Sequence, residues 1–499
     1  MPASLRLTLA LAAGALAACG FAPWHLWPLT ILATAALIAL VGETKSRRGA
    51  FATGWWFGVG HFTCGLAWIA TAFTFQDAMP AWLGWPTVVL LSMFLALYPA
   101  LAALIAHAAK APLTRVLLFA AAWMLAEWLR GVVLSGFAWN PLGAAWLDAG
   151  GIGQLMSFIG AVGLSGIMVL AGGAVWLGWR RNSRTSLLSF GAVCGVAVLS
   201  ALLIPANPPA TGPVIRIVQP NIGQEDRWNP QAAEIHLQRQ LDLTRRSLPP
   251  GHAPTVVMWS ESAVQALVEE DASLRARLAA VLAPRDLLLF GGVAVQRDGG
   301  GDAIAVRNSL FVIDASARLL GRYDKAHLVP LGEYVPAHDL MTRLGLARLS
   351  PGDLGFLSGP GPRTLALPGF PDVGVQICYE IIFPAEVVDR AHRPAWLLQP
   401  SNDSWYGSWM QPQHLDQARL RAVEEGLPVA RATPNGTSAL IDPRGRVLAA
   451  LGPRATGVSA APLPAALAPT PFARWGHWTT LAFGLLLTLG AAWASRRRI

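Results

Sequence analysis

The chain has 499 residues, of which 54% are hydrophobic and only 13% charged, with 21 tryptophans and a mean hydropathy of +0.44. That composition excludes a wholly soluble protein and points to an integral membrane protein. The formal net charge of +9 does not indicate a nucleic-acid partner, because the lysines and arginines fall in short clusters between apolar segments, where membrane topology accounts for them.

In chain order, residues 1–205 and 477–495 are nearly free of charge, whereas 206–475 has the mixed composition of a soluble domain. The expected organisation is therefore a multi-span α-helical bundle over 1–205 with seven spans, an extramembrane domain over 206–475, and a C-terminal span with a basic tail over 476–499. A span needs about 20 apolar residues to cross the hydrocarbon core. Such stretches run approximately 5–22, 24–42, 51–73, 84–108, 114–136, 153–178, 187–205 and 477–495, eight in all.

The charges give this count a direction. Arg6, then Lys45, Arg47 and Arg48, then Lys110 and Arg115, then Arg180, Arg181 and Arg184, and finally Arg496 to Arg498 occupy the N-terminus, every second loop and the C-terminus. The positive-inside rule assigns these to the cytoplasm and the domain 206–475 to the outside, which in a bacterial inner membrane is the periplasm. Both termini are then cytoplasmic. The run 16–20 around Cys19 resembles a lipoprotein processing site, but the apolar sequence continues through Leu40, so 5–22 is read as a retained span. Glu127 and Arg130 stand three apart in the fifth span and are expected to form an ion pair that fixes helix packing, the alternative being a lipid-headgroup site. Tryptophans near 24–27 and 82–85 fit an outer interfacial belt.

Within 206–475, apolar β-rich runs at 214–219, 255–259, 287–293, 309–313, 373–377, 396–399, 429–433 and 438–441 alternate with helical patterns at 230–247, 272–283, 384–392 and 412–425. Continuous apolar strands separated by helices predict a layered α/β domain. Cys378 is the only cysteine in this part, whereas Cys19, Cys64 and Cys194 lie in predicted spans. An unpaired thiol in an oxidising compartment is a candidate nucleophile. Glu261 and Lys325, like Cys378, each follow a strand-like run, so base, cation and thiol are available for acyl transfer. Taken singly, Glu261 could cap a helix and Lys325 could be a surface charge. The histidines of this part, at 236, 252, 327, 338, 392 and 414, show no paired ligand spacing, so no metal is expected. His414 is expected to pair within its own helix.

The segments Trp259-Ser-Glu-Ser262, Tyr323-Asp-Lys-Ala-His-Leu-Val-Pro-Leu-Gly-Glu-Tyr-Val-Pro336, Ile377-Cys-Tyr-Glu-Ile-Ile-Phe383 and Ser401-Asn-Asp-Ser-Trp-Tyr-Gly407 resemble the carbon-nitrogen hydrolase (nitrilase) superfamily. With a bundle before them and a span after, the whole chain resembles the apolipoprotein N-acyltransferase family within it. The resemblance implies an αββα sandwich and a Glu-Lys-Cys triad, with Glu261 as general base, Lys325 as cationic stabiliser and Cys378 as nucleophile. It also implies a supporting carboxylate at Glu333, pocket-shaping roles for Tyr379 and Glu380 beside the nucleophile, and lipid contact at Trp228. A nearby lysine favours the thiolate, a carboxylate takes the proton, and the lysine stabilises the oxyanion with a backbone N–H.

The implied reaction moves a fatty acyl chain from a phospholipid through a Cys378 thioester to the α-amine of a lipoprotein's diacylglyceryl-cysteine, with ping-pong kinetics and no diffusible cofactor. This would be the last step of lipoprotein maturation. The alternatives are a membrane-tethered amidase or nitrile hydrolase using water as acceptor, and a transporter with an inactive outer domain, against which the near absence of intramembrane charge argues. The apolar residues of 336–361 suggest either a lid over the thioester or a loop packed on the domain's own core.

Overall fold

The computed structural model describes residues 1–76, 79–180, 210–227, 229–335 and 354–496, with isolated positions 191, 195 and 343. The expected span at 187–205, Trp228 and most of the expected lid lie outside the described residues.

Apolar helices run over Ala3–Ala18, Trp27–Gly42, Arg47–Gly65, Gly84–Leu95 and on into Leu97–His107, then Pro112–Val132, Met156–Trp179 and His477–Arg496. Four helical segments, 81–107, 112–132, 150–179 and 477–496, are long and apolar enough to cross a membrane; Ala3–Ala18 and Trp27–Gly42 are apolar but shorter. The expectation of eight spans is therefore met only in part among the described residues. The expected span 51–73 divides into Arg47–Gly65 and the single turn Ile69–Ala72.

Small residues let the first and third helices meet backbone to backbone. A Cβ on Gly14 would lie 1.9 Å from the carbonyl oxygen of Phe57, and one on Gly60 would lie 2.1 Å from that of Leu11. In lipid, where apolar side chains gain nothing by leaving one another's company for water, such close approach is what holds helices together.

The basic loops gather at one end of the bundle. Arg115 and Arg180 both lie over the Trp176 ring, at 5.9 and 5.3 Å, and Thr44 Oγ1 is 3.0 Å from His107 Nδ1. The α/β part is seated on the other end. There the Trp139 indole and the Asn140 amide donate to Gln413 Oε1, both at 2.9 Å, Gln154 donates to the Arg444 carbonyl, and Ala161 N–H donates to Glu424 at 2.7 Å.

Glu127 and Arg130 do not form the expected ion pair. Glu127 Oε1 accepts from the Trp123 indole at 2.8 Å and the Leu142 N–H at 2.9 Å, while Arg130 Nη1 donates to the carbonyls of Phe137 and Trp139, both at 2.8 Å. Each binds backbone of the following loop because Pro112–Val132 ends at Val132, and the chain then folds back over both side chains.

The α/β part is built on two six-stranded mixed sheets. In one, Val214–Gln219, Thr255–Met258 and Leu287–Arg297 run parallel, flanked by antiparallel Gly457–Pro462 on one side and by Ala303–Asp314 and Leu319–Asp324 on the other. In the other, Val373–Val375, Trp396–Pro400 and Val429–Ala432 run parallel, with Thr364–Leu365 antiparallel at one edge and Ser438–Ile441 and Val447–Leu451 at the other. Ile217, Met258 and Leu310 of the first sheet pack on Val375, Leu398 and Leu440 of the second. Pro230–Ser247 and Ala272–Ala279 cover the outer face of one sheet, and Gly407–Glu425 covers the other. This is the expected αββα layering.

Two expectations fail locally. The helix expected at 384–392 is a series of turns, since Pro384 and Ala385, with φ +66°, interrupt it. The strands Leu319–Asp324, Val447–Leu451 and Gly457–Pro462 were not expected; they are sheet-edge or partly exposed and lack a continuous apolar run.

Gly60→Val should force the first and third helices apart. Overpacking of this kind costs about 1–3 kcal/mol, read as a lowered thermal midpoint of the detergent-purified protein. An unchanged midpoint would show that the backbone contact is not needed.

Candidate active site

The parallel strands of both sheets deliver their C-terminal ends to one edge, and the three candidate residues sit just beyond strand ends. Glu261 follows Thr255–Met258, Lys325 follows Leu319–Asp324, and Cys378 follows Val373–Val375. Glu261, Lys325, Glu333 and Cys378 all line one cavity of about 80 Å³.

Lys325 is 1% exposed and its Nζ lies 2.9 Å from Glu333 Oε1 and 3.6 Å from Glu261 Oε1. Burial disfavours its charge, yet the Glu333 and Glu261 carboxylates outweigh that and hold the ammonium above its ordinary range. Asn308 Nδ2 donates to Glu261 at 2.7 Å and to Glu333 at 3.1 Å, clamping the two carboxylates around one cation. The other oxygens are fixed by backbone: Asn402 N–H donates to Glu261 Oε2 at 2.7 Å and Val329 N–H to Glu333 Oε2 at 2.9 Å.

Cys378 opens a tight turn, Cys378–Ile382, with φ +53°. A non-glycine residue is held in that left-handed region only when its surroundings over-determine it. Glu380 supplies the constraint. Its Oε2 accepts from Ile377 N–H at 2.6 Å, and its Oε1 from the Tyr323 hydroxyl and the N–H groups of Ala326 and His327 at 2.9, 2.7 and 3.1 Å. Glu380 thus buckles the Cys378 turn to the Lys325 loop. Burial pushes its carboxyl up to about 7 against the opposing pull of these donors and of Lys325. It faces backbone donors and lines neither cavity of the site, so its expected pocket-shaping role is an indirect one.

Burial and the Glu261 charge raise Cys378 above the ordinary thiol range, and Lys325 offsets this only in part. The resting sulfur is therefore S–H, and the attack needs a base at the moment of reaction.

Cys378 also lines a second, apolar cavity of about 230 Å³, walled by Leu91, Phe94 and Leu134 of the bundle together with Tyr379 and Met410. Tyr379 belongs here, its hydroxyl donating to the Gly136 carbonyl at 3.4 Å and its ring edge against Phe383. The sulfur stands where a polar cavity meets a greasy one.

Sequence reasoning missed several contributors. Asn308 opens an apolar stretch of its strand, a polar residue flanking buried neighbours. Asn402 lies within the Ser401–Gly407 segment already noted. His414 does not pair within its helix: its Nδ1 is 3.0 Å from Asp403, which Arg431 also binds, and its Nε2 is 2.9 Å from the Gln399 amide nitrogen and 3.1 Å from the Cys378 carbonyl. Burial pulls His414 down, and Nδ1 carries a proton that it donates to the Asp403 carboxylate. Among the described residues one group has metal-ligand spacing, His25, Asp148 and Asp416. Arg419 fills that place, donating to Asp148 at 2.5 Å and to Asp416 at 2.9 Å.

The fold and this arrangement of thiol, lysine and two carboxylates define a carbon-nitrogen hydrolase domain, and residues 236–471 match the model of that family, Carbon-nitrogen hydrolase. Residues 13–174 match the Apolipoprotein N-acyltransferase N-terminal domain. Proteins named apolipoprotein N-acyltransferase are similar over nearly the full length. That of Rhodopseudomonas palustris is 36% identical, covering 95% of this chain and 92% of the relative, and that of Bradyrhizobium diazoefficiens is 35% identical, covering 99% and 95%. That of Caulobacter vibrioides is 35% identical, covering 98% and 94%. An amidase from Nesterenkonia sp. of known structure is 19% identical over 52% of this chain and 93% of its own, at a TM-score of 0.35, too slight a likeness to argue from. The chain belongs to the apolipoprotein N-acyltransferase family and is an acyltransferase.

Glu261→Gln removes a negative charge beside the sulfur and should lower the thiol's pKa, speeding alkylation of Cys378 by iodoacetamide at pH 8. Lys325→Met should slow it. The reverse order, read by mass spectrometry over time, would contradict the charge balance described above. Glu380→Gln turns an acceptor into a donor facing N–H groups and should cost about 2–3 kcal/mol of stability, with activity falling in step. A stable but inactive variant would instead give Glu380 a chemical role.

Proposed function

We propose that the protein N-acylates the N-terminal diacylglyceryl-cysteine of lipoproteins with an acyl chain taken from a membrane phospholipid, through a thioester on Cys378. The observation that carries this is the position of Cys378 between the polar cavity holding Glu261 and Lys325 and the apolar cavity walled by bundle helices.

In the first half-reaction the Cys378 sulfur attacks an ester carbonyl of the donor as Glu261 takes the S–H proton. Lys325 and a backbone N–H of the Cys378 turn offset the charge that gathers on the carbonyl oxygen. The tetrahedral adduct collapses, its C–O bond breaks, and the departing lysophospholipid oxygen receives the proton from Glu261. In the second, the lipoprotein α-amine attacks the thioester, Glu261 accepts a proton from nitrogen and returns it to the departing sulfur, and the amide is formed. Atoms and protons balance without a cofactor, and the acceptor binds after the first product leaves. Glu333 holds Lys325 in place for both steps.

The topology proposed with this reaction sets residues 206–475 in the periplasm and both termini in the cytoplasm of a bacterial inner membrane. It is supported by the basic residues at the end of the bundle opposite the α/β part. Water as acceptor, as in an amidase, is less well supported, since a soluble substrate needs no apolar cavity walled by membrane helices.

Incubation of the purified protein with phospholipid should give one acyl mass on Cys378, and Cys378→Ser should abolish it. Glu261→Gln should slow adduct formation about 10²–10⁴-fold, and Lys325→Ala about 10²–10³-fold. Wild-type protein that carries no adduct yet hydrolyses small amides without lipid would overturn the proposal in favour of the amidase.

A further inference from the structure

We propose that Arg130 is an anion subsite that takes the phosphodiester of the lipid acyl donor, so that the donor is held by its headgroup phosphate while its ester reaches Cys378. The inference rests on the reading of the donor as a phospholipid and deepens it.

Among the described residues, Arg130 is the one Asp, Glu, Lys or Arg side chain that lines the apolar cavity beside Cys378. It is 3% exposed, and a buried guanidinium ordinarily carries a carboxylate partner. Here no carboxylate lies within ion-pair distance among the described residues, and Glu127, one turn back, spends Oε1 on the Trp123 indole and the Leu142 N–H. Both hydrogen bonds of the guanidinium use Nη1, to the Phe137 and Trp139 carbonyls, which fixes the fork without neutralising it, and Nε has no partner. The face of the Phe62 ring, 5.4 Å away, adds a further wall that orients the group. The result is a desolvated cation in the wall of the cavity that holds the nucleophile, with Glu127 near it but making no ion pair with it, and Arg is the side chain best shaped to bind a phosphate through paired N–H donors.

Depth selects the anion. Arg130 lies two residues before Val132, the last residue of an apolar helix that starts at the basic end of the bundle, so it sits near the opposite membrane surface. Trp82, Trp85, Trp475 and Trp478, all exposed, belong to that same end, as residues of an interfacial belt do. A glycerophospholipid places its phosphate at this level, its ester linkages just beneath and its chains in the apolar space alongside Leu91 and Phe94. A free phosphate offers the same oxygens but has no reason to enter a cavity of this lining.

The test compares two donors that differ only in the phosphate headgroup. Full-length protein in detergent is loaded from dipalmitoyl phosphatidylethanolamine or from 1,2-dipalmitoylglycerol, and the acyl adduct on Cys378 is followed by intact mass spectrometry. Wild type should load faster from the phospholipid. Arg130→Gln should lower phospholipid loading roughly tenfold or more while lowering diacylglycerol loading far less, so the preference collapses. Arg130→Lys, which keeps the charge but not the fork, should fall between and serves alone if the glutamine variant does not fold. Equal losses with both donors, or no loss, would overturn the subsite and leave the proposed function standing. Wild type that loads from neither donor would overturn the donor reading and the subsite with it. Slowing of wild-type diacylglycerol loading by inorganic phosphate, absent in Arg130→Gln, would assign the subsite to free phosphate instead.

Discussion

The structure turns on one buried ammonium. Lys325 is among the largest fully buried side chains, and a lone cation in that position would lose its charge or unfold its surroundings. Two carboxylates, Glu333 and Glu261, keep it charged, and Asn308 and the backbone of Asn402 and Val329 keep the carboxylates in place. Those partners come from both sheets, and the loops that carry them meet only because the parallel strand ends converge on one edge. Burial first, and then the Glu261 charge that Lys325 only partly offsets, keep the proton of Cys378 on sulfur.

The second constraint is the seat of the α/β part on the bundle. Gln413, His414, Asp416 and Arg419 share the helix Gly407–Glu425 and reach in turn the Trp139–Asn140 loop, the Cys378 turn, and the His25–Asp148 corner of the bundle. One helix therefore registers the nucleophile against the membrane part. The apolar cavity exists only because both parts wall it, so neither the bundle nor the α/β part could form it alone.

How much of this was legible in the sequence follows from what each residue has to satisfy. Buried parallel strands read as unbroken apolar runs, so the cores of both sheets and the residues just past their ends, Glu261 and Cys378, stood out. The edge strands Leu319–Asp324 and Gly457–Pro462 are half exposed and carry no such run, so they did not. Glu333 was visible only through a family motif. Asn308 and His414 act through partners on other elements, and no periodic pattern records that Arg130 binds the Phe137 and Trp139 carbonyls of the following loop and lines a cavity instead of pairing with Glu127. The resting state of the thiol was not legible for the same reason: the lysine, which does favour the thiolate, and the carboxylates could be read, but the depth of burial that outweighs the lysine belongs to the folded arrangement.

A protonated nucleophile suits a waiting intermediate. On the proposed route the thioester must persist while lysophospholipid leaves and a bulky lipoprotein enters, and water is the competitor throughout. A site that deprotonated any small nucleophile would squander the acyl chain. Glu261 is held by Asn308, Asn402 and Lys325 in the wall of the small polar cavity that it shares with the sulfur. With the acyl chain filling the apolar cavity against Tyr379 and Met410, the approach left open leads through that 80 Å³ space, whose wall includes Phe356 and Trp405. Water fits there but brings no binding energy of its own, whereas a lipidated amine is delivered along the membrane surface with its chains already solvated by lipid. Discrimination then comes from delivery and from a base fixed in place, and a strongly nucleophilic resting thiolate would add nothing to it.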